Sequence, residues 1–451
     1  MSTNRQNDPI THVVKRSGKI VPFNEEKIAE GIYRAAASVG GHQKELSIKL
    51  AHEVTVIVNK NFGAPDMPLV NEIQDNVEKV LIENGHGKTA KAYIIYREYR
   101  RREKLKKGRL TEDPRIPYRT MYEALLWNLE HQCETIEKLN KIIRDGSIPD
   151  LVRSYEQNYS RHIQNIAKEI ADEKDDVKLI IVAGPSSSGK TTTTAKLSHQ
   201  LNEAGMDTVA LNLDHYFFDL EDHPKDEFGD YDFETPEALD ITLINQHLAE
   251  LIDGKTIKMP YYDFEKGKRQ LNVQEKTILP NQVLIIDTLH GLYKPMTDSV
   301  ADENKVKVYI ETIAQLKDIS DRFIRWTDIR LLRRMVRDSA SRGYDMRQTI
   351  GHWHYVRRSE LKHIIPFQGD TDFIVNGSIP FELPYLKKFT FDNLPDYIKE
   401  WQDDPKRRDA FIRAERIHKL LSEADDFYDE KIIPWDSLLR EFIGGSILKL
   451  H

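Results

Sequence analysis

The stretch from Gly184 to Thr191 constrains the fold of this chain more than any other. It reads Gly-Pro-Ser-Ser-Ser-Gly-Lys-Thr and fits G-x-x-x-x-G-K-[ST], the pattern of a phosphate-binding loop or P-loop. Glycines let such a loop curl and direct its N–H groups inward, while Lys190 reaches the outer phosphates and Thr191 coordinates Mg²⁺. The residues expected to contact a nucleotide here are Gly184, Ser186, Ser187, Ser188, Gly189, Lys190, Thr191 and Thr192.

The residues on either side supply the secondary structure that a P-loop needs. Residues 177–183 form a short apolar run typical of a buried strand. After the loop, apolar positions recur at helical spacing until Gly205, which favours a helix end. Strand, loop and helix follow in the required order, and a helix N-terminus attracts anions. The sequence therefore predicts a nucleoside triphosphate site.

Composition and charge exclude several classes of protein. The 451 residues, 39% of them hydrophobic and 31% charged, suffice for two or three domains. The net charge of −7 argues against a nucleic-acid partner, and no apolar run is long enough to cross a bilayer. A single cysteine, Cys133, excludes a disulfide framework and a cysteine-based zinc site. With a polar N-terminus that lacks signal-peptide features, these properties predict a cytoplasmic protein without a membrane partner.

Two aspartates follow predicted buried strands. Asp214 directly follows the predicted strand at residues 208–213, and Asp287 directly follows the one at residues 283–286. Residues beyond the carboxyl ends of parallel strands line the ligand crevice, so both carboxylates are expected near the γ-phosphate. Asp214 could accept the proton of an attacking hydroxyl, hold Mg²⁺ or cap the following turn. Asp287 fits the acid that holds Mg²⁺ beside a P-loop.

An arginine-rich helix is predicted from Asp328 onward. The arginines that share one face at i, i+3, i+4 and i+7 are Arg330, Arg333, Arg334 and Arg337. A solvated charged face normally interleaves acids, and only Asp328 and Asp338 flank this cluster. We interpret it as a lid that clamps phosphate, with Arg334 and Arg337 on the transferring group. Arg333 and Arg342 are expected to bind ATP, and Gly343 to act as a hinge.

The rest of the chain divides where the pattern changes. Residues 1–103 predict a hairpin around Ser17-Gly18 and about four helices, the first capped by Asn24. Residues 104–176 are predicted to be a helical connector. The basic run at 97–108 is either a nucleic-acid or membrane patch or a solvated helix end. The P-loop core occupies residues 177–390, and a helical tail occupies 391–451.

The N-terminal region resembles the ATP-cone, a small regulatory nucleotide-binding domain found on ribonucleotide reductases and on a bacterial repressor. The stretches that carry this resemblance are Val13 to Lys19, Pro22 to Ile28, Glu72 to Glu78 and Ala90 to Arg97. The resemblance implies that Lys15, Arg16 and Lys27 contact the phosphates of regulatory ATP or dATP. Without it, these side chains would be interpreted as ordinary exposed charges.

Residues 177–390 resemble the uridine kinase and phosphoribulokinase family, and more narrowly a bacterial uridine-kinase-like nucleoside kinase group. The stretches that carry the resemblance are Gly184 to Thr191, Leu213 to Phe217, Tyr231 to Asp240, Pro260 to Phe264, Asp287, Arg330 to Gly343, Ile364 to Gln368 and Arg440 to Ser446. It implies Asp214 as catalytic base and Asp287 as the Mg²⁺-associated acid. The residues placed near the acceptor by the resemblance are Glu234, Tyr262, Arg269, Tyr344 and His352.

Four of the acceptor-side positions depart from uridine-cytidine kinases. Gly267 replaces a base-contacting histidine, and His352 replaces a base-contacting glutamine. Tyr344 stands where the family has a second lid arginine, and Glu234 where it has aspartate. Loss of donors that read a pyrimidine can cost orders of magnitude in selectivity. The transfer chemistry is therefore better defined than the acceptor.

These patterns predict an α/β protein, with a P-loop kinase core of parallel sheet and flanking helices. A mainly helical ATP-cone with a small β-hairpin and a helical connector precede this core. The expected activity is ATP- and Mg²⁺-dependent phosphorylation of a small molecule, a nucleoside being favoured, controlled by ATP or dATP through assembly of a homo-oligomer. Alternatives are a kinase for a sugar phosphate, polyol or hydroxy acid, and a nucleotide-sensing ATPase regulator.

Overall fold

The chain forms two compact units, residues 1–112 and 113–451. The computed structural model describes residues 9–14, 20–62, 67–94, 116–173, 177–225, 231, 234–264, 266–341 and 343–448. The second unit contains residues 113–176 of the predicted connector together with the predicted P-loop core and tail. Within the described ranges, no helix combines the length and apolar character needed to cross a membrane.

The first unit has the predicted hairpin and helices. Strands β1 (His12–Val14) and β2 (Ile20–Pro22) pair antiparallel, with Val13 opposite Val21. The helices are α1 (Glu25–Ala37), α2 (Lys44–Asn61), α3 (Val70–Glu83) and α4, of which residues 87–94 are described. The side chain of Asn24 accepts a hydrogen bond from the Lys27 N–H and caps α1, as predicted. Apolar faces of hairpin and helices meet in one core.

The second unit is built on a five-stranded parallel sheet. The strands of this sheet are β3 (Leu179–Ala183), β4 (Thr208–Asn212), β7 (Val283–Thr288), β8 (Lys305–Glu311) and β9 (Phe373–Asn376). Strands β5 (Ile257–Asp263) and β6 (Lys268–Lys276) form a separate antiparallel hairpin. The order across the sheet is β4-β7-β3-β8-β9. Strand β8 was not predicted, although it lies beside β3 and is almost wholly buried. The predicted α/β class is confirmed.

Helices cover both faces of this sheet and extend beyond it. They are α5 (Tyr118–Glu130), α6 (Ile136–Arg144), α7 (Ile148–Glu173), α8 (Lys190–Glu203), α9 (Ile241–Ile252), α10 (Trp326–Ser341), α11 (Met346–His363), α12 (Glu382–Thr390), α13 (Leu394–Trp401), α14 (Arg408–Ser422) and α15 (Arg440–Ile443). Helix α8 begins directly at the P-loop, as the sequence predicted.

The predicted connector and tail are parts of the core around the P-loop. Ile163 of α7 and Phe442 of α15 lie in the same buried cluster as Val182 of β3. The hydroxyl of Tyr159 is hydrogen-bonded to Thr193 of α8 at 2.7 Å. These contacts bury apolar side chains of the predicted connector and tail against the P-loop core.

Strands β8 and β9 approach the P-loop so closely that glycine is required at two positions. A Cβ at Gly184 would lie 2.2 Å from the carbonyl oxygen of Ile310 at the end of β8. A Cβ at Gly377, directly after β9, would lie 2.4 Å from the carbonyl oxygen of Ser188. Because backbone atoms cannot yield as side chains do, these contacts fix the loop against the sheet.

We predict that Gly377→Ala destabilises the second unit, because its methyl group must displace the Ser188 backbone. The expected loss is about 1–3 kcal/mol of unfolding free energy, as for overpacked cores. Urea denaturation followed by circular dichroism measures it. Gly351→Ala is the matched control, since its methyl group in α11 would meet only the flexible end of Arg407. Equal stability of the two variants would contradict the close approach.

Candidate active site

The P-loop contains buried hydroxyl groups without a hydrogen-bond partner in the described part of the chain. Gly189, with φ of +98°, turns the chain into α8, and the Lys190 ammonium donates to the Pro185 carbonyl at 3.2 Å. The buried hydroxyls of Ser187, Ser188 and Thr192 have no hydrogen-bond partner within the described part of the chain. A buried hydroxyl without a partner costs free energy. Phosphate oxygens would supply the acceptors that these groups lack.

Carboxylates lie at the ends of the strands beside the P-loop. Asp287 stands opposite Val182 of β3 on one side and Asn212 of β4 on the other. The Thr191 hydroxyl donates to the Asp287 carboxylate at 2.9 Å. The structure thus brings together the two side chains expected at Mg²⁺, and both carry the oxygen ligands that Mg²⁺ prefers. No group of three His, Cys, Asp or Glu suited to a metal occurs in the described residues.

Asp214 shares the electrostatic environment of Lys190. It lies in the short helical turn Leu213–Tyr216 after β4, where the Asn212 side chain accepts from its N–H at 2.9 Å. Burial lowers the pKa of Lys190, while Asp287 and, more weakly, Asp214 raise it. Asp214 is half-buried, and it follows the end of β4, the strand next to β7, which carries Asp287.

Arg330 does not belong to an open lid, contrary to the sequence interpretation. It is 1% exposed and donates to both carboxylate oxygens of Glu360, at 2.5 and 2.9 Å. Its guanidinium also contacts Glu311 at 3.1 Å and donates to the Ser186 carbonyl at 3.0 Å. The acids that seemed absent from this face are supplied by β8 and α11.

Arg333 likewise supports the P-loop from behind, and its predicted contact with ATP is not supported. It is 0% exposed, and it donates to Glu382 at 2.6 and 3.0 Å and to the Gly377 carbonyl at 2.7 Å. Longer contacts of 3.4 Å reach the carbonyls of Ser187 and Ser188. A guanidinium paired in this way has no donor directed at a nucleotide.

Arg334 and Arg337 share this face of α10 but are more exposed than Arg330 and Arg333. Arg334 donates to the Ser186 hydroxyl at 3.1 Å and to Glu234 at 2.6 Å. Burial lowers the pKa of Arg334, but the carboxylates of Glu234 and Asp338 raise it by more. The pKa of Arg334 therefore lies above its usual value, and the guanidinium stays charged. Arg337 donates to Asp338 at 2.8 Å and lies near enough to Lys190 to lower its pKa. Arg342 lies outside the described residues.

An aromatic cluster marks the side expected to receive the acceptor. Tyr262 is 2% exposed, and its hydroxyl has no hydrogen-bond partner among the described residues. Its ring lies 5.6 Å from Phe217 and 4.9 Å, edge to face, from the exposed Phe264. Burial raises the pKa of Tyr262, and the exposed Tyr344 adds a smaller effect of the same sign. A flat, partly polar group would fit beside such rings.

The other acceptor residues are not all brought to this cluster. Arg269 is paired with Asp240 at 2.9 Å and stacks over Phe218. Glu234 is held by Arg334, next to the P-loop. His352 is exposed on α11, where its ring lies 5.8 Å from Tyr355, and this contact does not join it to the cluster.

Gly267 could not carry the family's base-contacting histidine without a local rearrangement. Its φ is +63°, and a Cβ there would lie 2.8 Å from the Cβ of Leu220. Positive φ is strained for residues with a side chain. The backbone at this position is therefore shaped for glycine, not merely lacking a donor.

One residue at the P-loop was missed by the sequence analysis. The Glu441 carboxylate of α15 accepts a hydrogen bond from the Thr192 N–H at 3.0 Å. Its sequence separation of 249 residues left no local signal, although the Arg440–Ser446 stretch had been singled out without a role. In the first unit Lys27 is exposed, and Lys15 and Arg16 lie outside the described residues.

We predict that Arg333→Met lowers the unfolding free energy by about 3–5 kcal/mol, because it leaves the Glu382 carboxylate buried without a partner. Urea denaturation measures the change. Arg119→Met is the control, since the Arg119–Glu123 pair is exposed and worth less than about 1 kcal/mol. A loss of stability no larger than that of the control would contradict the buried ion pair and favour the earlier interpretation of Arg333 as a lid residue.

Comparisons with known proteins identify both regions. Residues 179–380 match the model of the phosphoribulokinase/uridine kinase family, and residues 11–102 match the ATP cone domain. Uridine kinases of Deinococcus deserti and Borrelia turicatae are 30% and 32% identical, over 44% of this chain and 86% of each relative. A solved structure described as a possible uridine kinase of Bacillus stearothermophilus aligns over 48% of this chain and 97% of its own, with 14% identity and a TM-score of 0.32. Because the two uridine kinases are at least 30% identical over 86% of their length, the chain belongs to the phosphoribulokinase/uridine kinase family.

Proposed function

We propose that this protein transfers the γ-phosphate of ATP to a hydroxyl group of a small molecule, most favourably a nucleoside. The observation that carries the proposal is the Thr191–Asp287 hydrogen bond at the mouth of a P-loop whose buried hydroxyls lack partners. That geometry joins phosphate donors to a metal-binding carboxylate. Membership of a kinase family supports the same reaction.

The residues around the P-loop divide the work of binding ATP. Backbone N–H groups from Ser186 to Thr192 and the hydroxyls of Ser187 and Ser188 hold the phosphates. Lys190 releases the Pro185 carbonyl and turns to the outer phosphates. Thr191 and Asp287 would hold Mg²⁺, which neutralises charge on the phosphate oxygens when bound. Arg334 and Arg337 stabilise the negative charge of the transferring group from the other side.

Asp214 serves as the general base. It accepts the proton of the acceptor hydroxyl as that oxygen forms its bond to the γ-phosphorus. The bond from phosphorus to the bridging oxygen of ADP breaks, and ADP keeps the electron pair. Positioning and fixed charge supply most of the rate, since phosphoryl transfer needs little covalent chemistry from the protein.

The aromatic cluster supports a nucleoside as acceptor. The exposed ring of Phe264 offers stacking to a flat base. The buried Tyr262 hydroxyl, which has no partner in the described part of the chain, would add a polar contact only if a ligand gained access to it. Gly267 and the exposed His352 offer no counterpart to the pyrimidine-reading residues of uridine-cytidine kinases. A nucleoside other than uridine, or a sugar phosphate, polyol or hydroxy acid, is therefore within the proposal.

Regulation is proposed to act through the ATP-cone. Lys15, Arg16 and Lys27 would bind the phosphates of ATP or dATP, and a second nucleotide acts only if it binds two states of the protein differently. A homo-oligomer in the cytoplasm whose assembly differs between these states provides such a pair. The rival function, an ATPase that senses nucleotide and acts on a protein partner, needs no acceptor site.

We predict that Asp214→Asn abolishes phosphoryl transfer but leaves ADP binding intact, because it removes the base and no phosphate contact. The assay is ADP release with ATP and Mg²⁺ across nucleosides, pentoses, polyols and hydroxy acids, with products identified by mass spectrometry. Asp222→Asn, an exposed aspartate of the same region, is the control. Full activity of Asp214→Asn would refute the base assignment, and ADP release indifferent to every acceptor would favour the ATPase.

We predict that Lys15→Ala combined with Lys27→Ala removes the response to dATP and leaves basal activity unchanged, since the substitutions lie in the other unit. Activity and sedimentation are measured with and without dATP. The exposed Lys49 of α2 provides a control, Lys49→Ala, that should keep the response. A proportional loss of basal activity and response would contradict two separate nucleotide sites.

A further inference from the structure

The segment from Asp436 to Phe442 is built against the P-loop. Besides the Glu441 hydrogen bond to the Thr192 N–H, Leu438 packs so tightly that a Cβ at Gly189 would lie 2.6 Å from its Cδ1. The Phe442 ring lies 4.8 Å from the Arg333 guanidinium. This segment lies beyond residues 179–380, the part matched to the kinase family.

Several contacts hold this segment in place, so Glu441 is positioned and not merely close. The buried Arg440 donates to the carbonyls of Glu430 and Ile433 at 2.6 and 3.0 Å. Lys196 of α8 pairs with Asp436 at 2.5 Å. Ser437 donates to Glu156 of α7 at 2.5 Å. Among the polar contacts that the described residues make with this segment, the one at a P-loop N–H group is made by the carboxylate of Glu441.

The hydrogen bond of Glu441 uses a donor that a nucleotide also needs. Thr192 is the third residue of α8, and the N–H groups of a first helical turn have no partner within the helix. In a P-loop these groups receive phosphate oxygens. The Thr192 hydroxyl beside it is fully buried and has no partner in the described part of the chain, which marks the position as prepared for a further acceptor.

Glu441 also acts on the lysine of the P-loop. Burial lowers the pKa of Lys190, and Glu441 is second to Asp287 among the groups that raise it. A nucleotide phosphate placed at α8 would therefore meet a fixed negative charge at short range. Like charges at such distances repel strongly where water is excluded.

We propose that Glu441 is a built-in competitor of the nucleotide: it caps α8 when no phosphate is bound and has to release Thr192 when ATP or ADP binds. The contact lowers nucleotide affinity and links the position of the C-terminal segment to occupancy of the site. This inference rests on the proposed ATP site. It adds to that site an autoinhibitory carboxylate outside the matched kinase region.

The test is calorimetric titration of Mg²⁺ and ADP into the full chain. Glu441→Gln keeps a hydrogen-bond acceptor but removes the charge, so ADP should bind roughly tenfold more tightly. Glu441→Asp keeps the charge but withdraws it by about 1.5 Å, one carbon–carbon bond, and should give a smaller gain. Asp436→Asn removes a carboxylate of the same segment that pairs with Lys196, and should leave ADP affinity within about twofold of the wild type.

Two results would overturn the proposal, and they are distinguishable. If ADP binds the wild type, and Glu441→Gln binds it equally or more weakly, Glu441 is neutral or a favourable nucleotide contact. If neither protein binds ADP, the proposed nucleotide site fails and the inference fails with it. Should Glu441→Gln not fold, Glu441→Asp decides between these outcomes, because a gain in ADP affinity is expected only for a competitor.

Discussion

The carbonyl groups of Ser186, Ser187 and Ser188 turn toward two buried arginines, and this decides which way the P-loop faces. Arg330 and Arg333 hold these carbonyls from behind, while Glu360 and Glu382 neutralise the two guanidinium groups. A peptide unit that directs its carbonyl one way directs its N–H the other way. The N–H groups of Ser187 and Gly189 are thus directed away from the arginines, while the Ser188 N–H donates to the Pro185 carbonyl at 3.3 Å. A nucleotide that binds here would still have to displace the contacts of Lys190 with Pro185 and of Thr192 with Glu441.

The same ion pairs join α10 to α11 and α12 behind the P-loop. Removing one partner of a buried ion pair leaves an uncompensated charge and lowers the unfolding free energy by roughly 3–5 kcal/mol. Each pair therefore stabilises the packing of these helices behind the P-loop. On the same face of α10, Arg334 and Arg337 remain partly exposed and pair with Glu234 and Asp338. One helix therefore supplies both the support of the loop and the charges offered to phosphate.

Local patterns were sufficient for much of the fold. The strand before the P-loop, the strand ends at Asp214 and Asp287, the capping of α1 by Asn24 and the hairpin of the first unit all follow from residues close in sequence. Strand β8 was not predicted, although the alternation of lysine with valine at its start is typical of a half-exposed strand. In the structure both faces are covered, and Lys305 is buried with Asp302 at 3.1 Å.

The sequence by itself determined the P-loop, the two strand-end aspartates and the family, because each depends on a short pattern with a local physical meaning. Only the tertiary structure decided what the arginines do and that connector, core and tail are one unit. Helical spacing put four arginines on one face, but their acidic partners come from β8, α11, α12 and the segment before Pro236. The contact of Glu441 with Thr192 could not be predicted for the same reason, because packing decides which residues distant in sequence pair with each other.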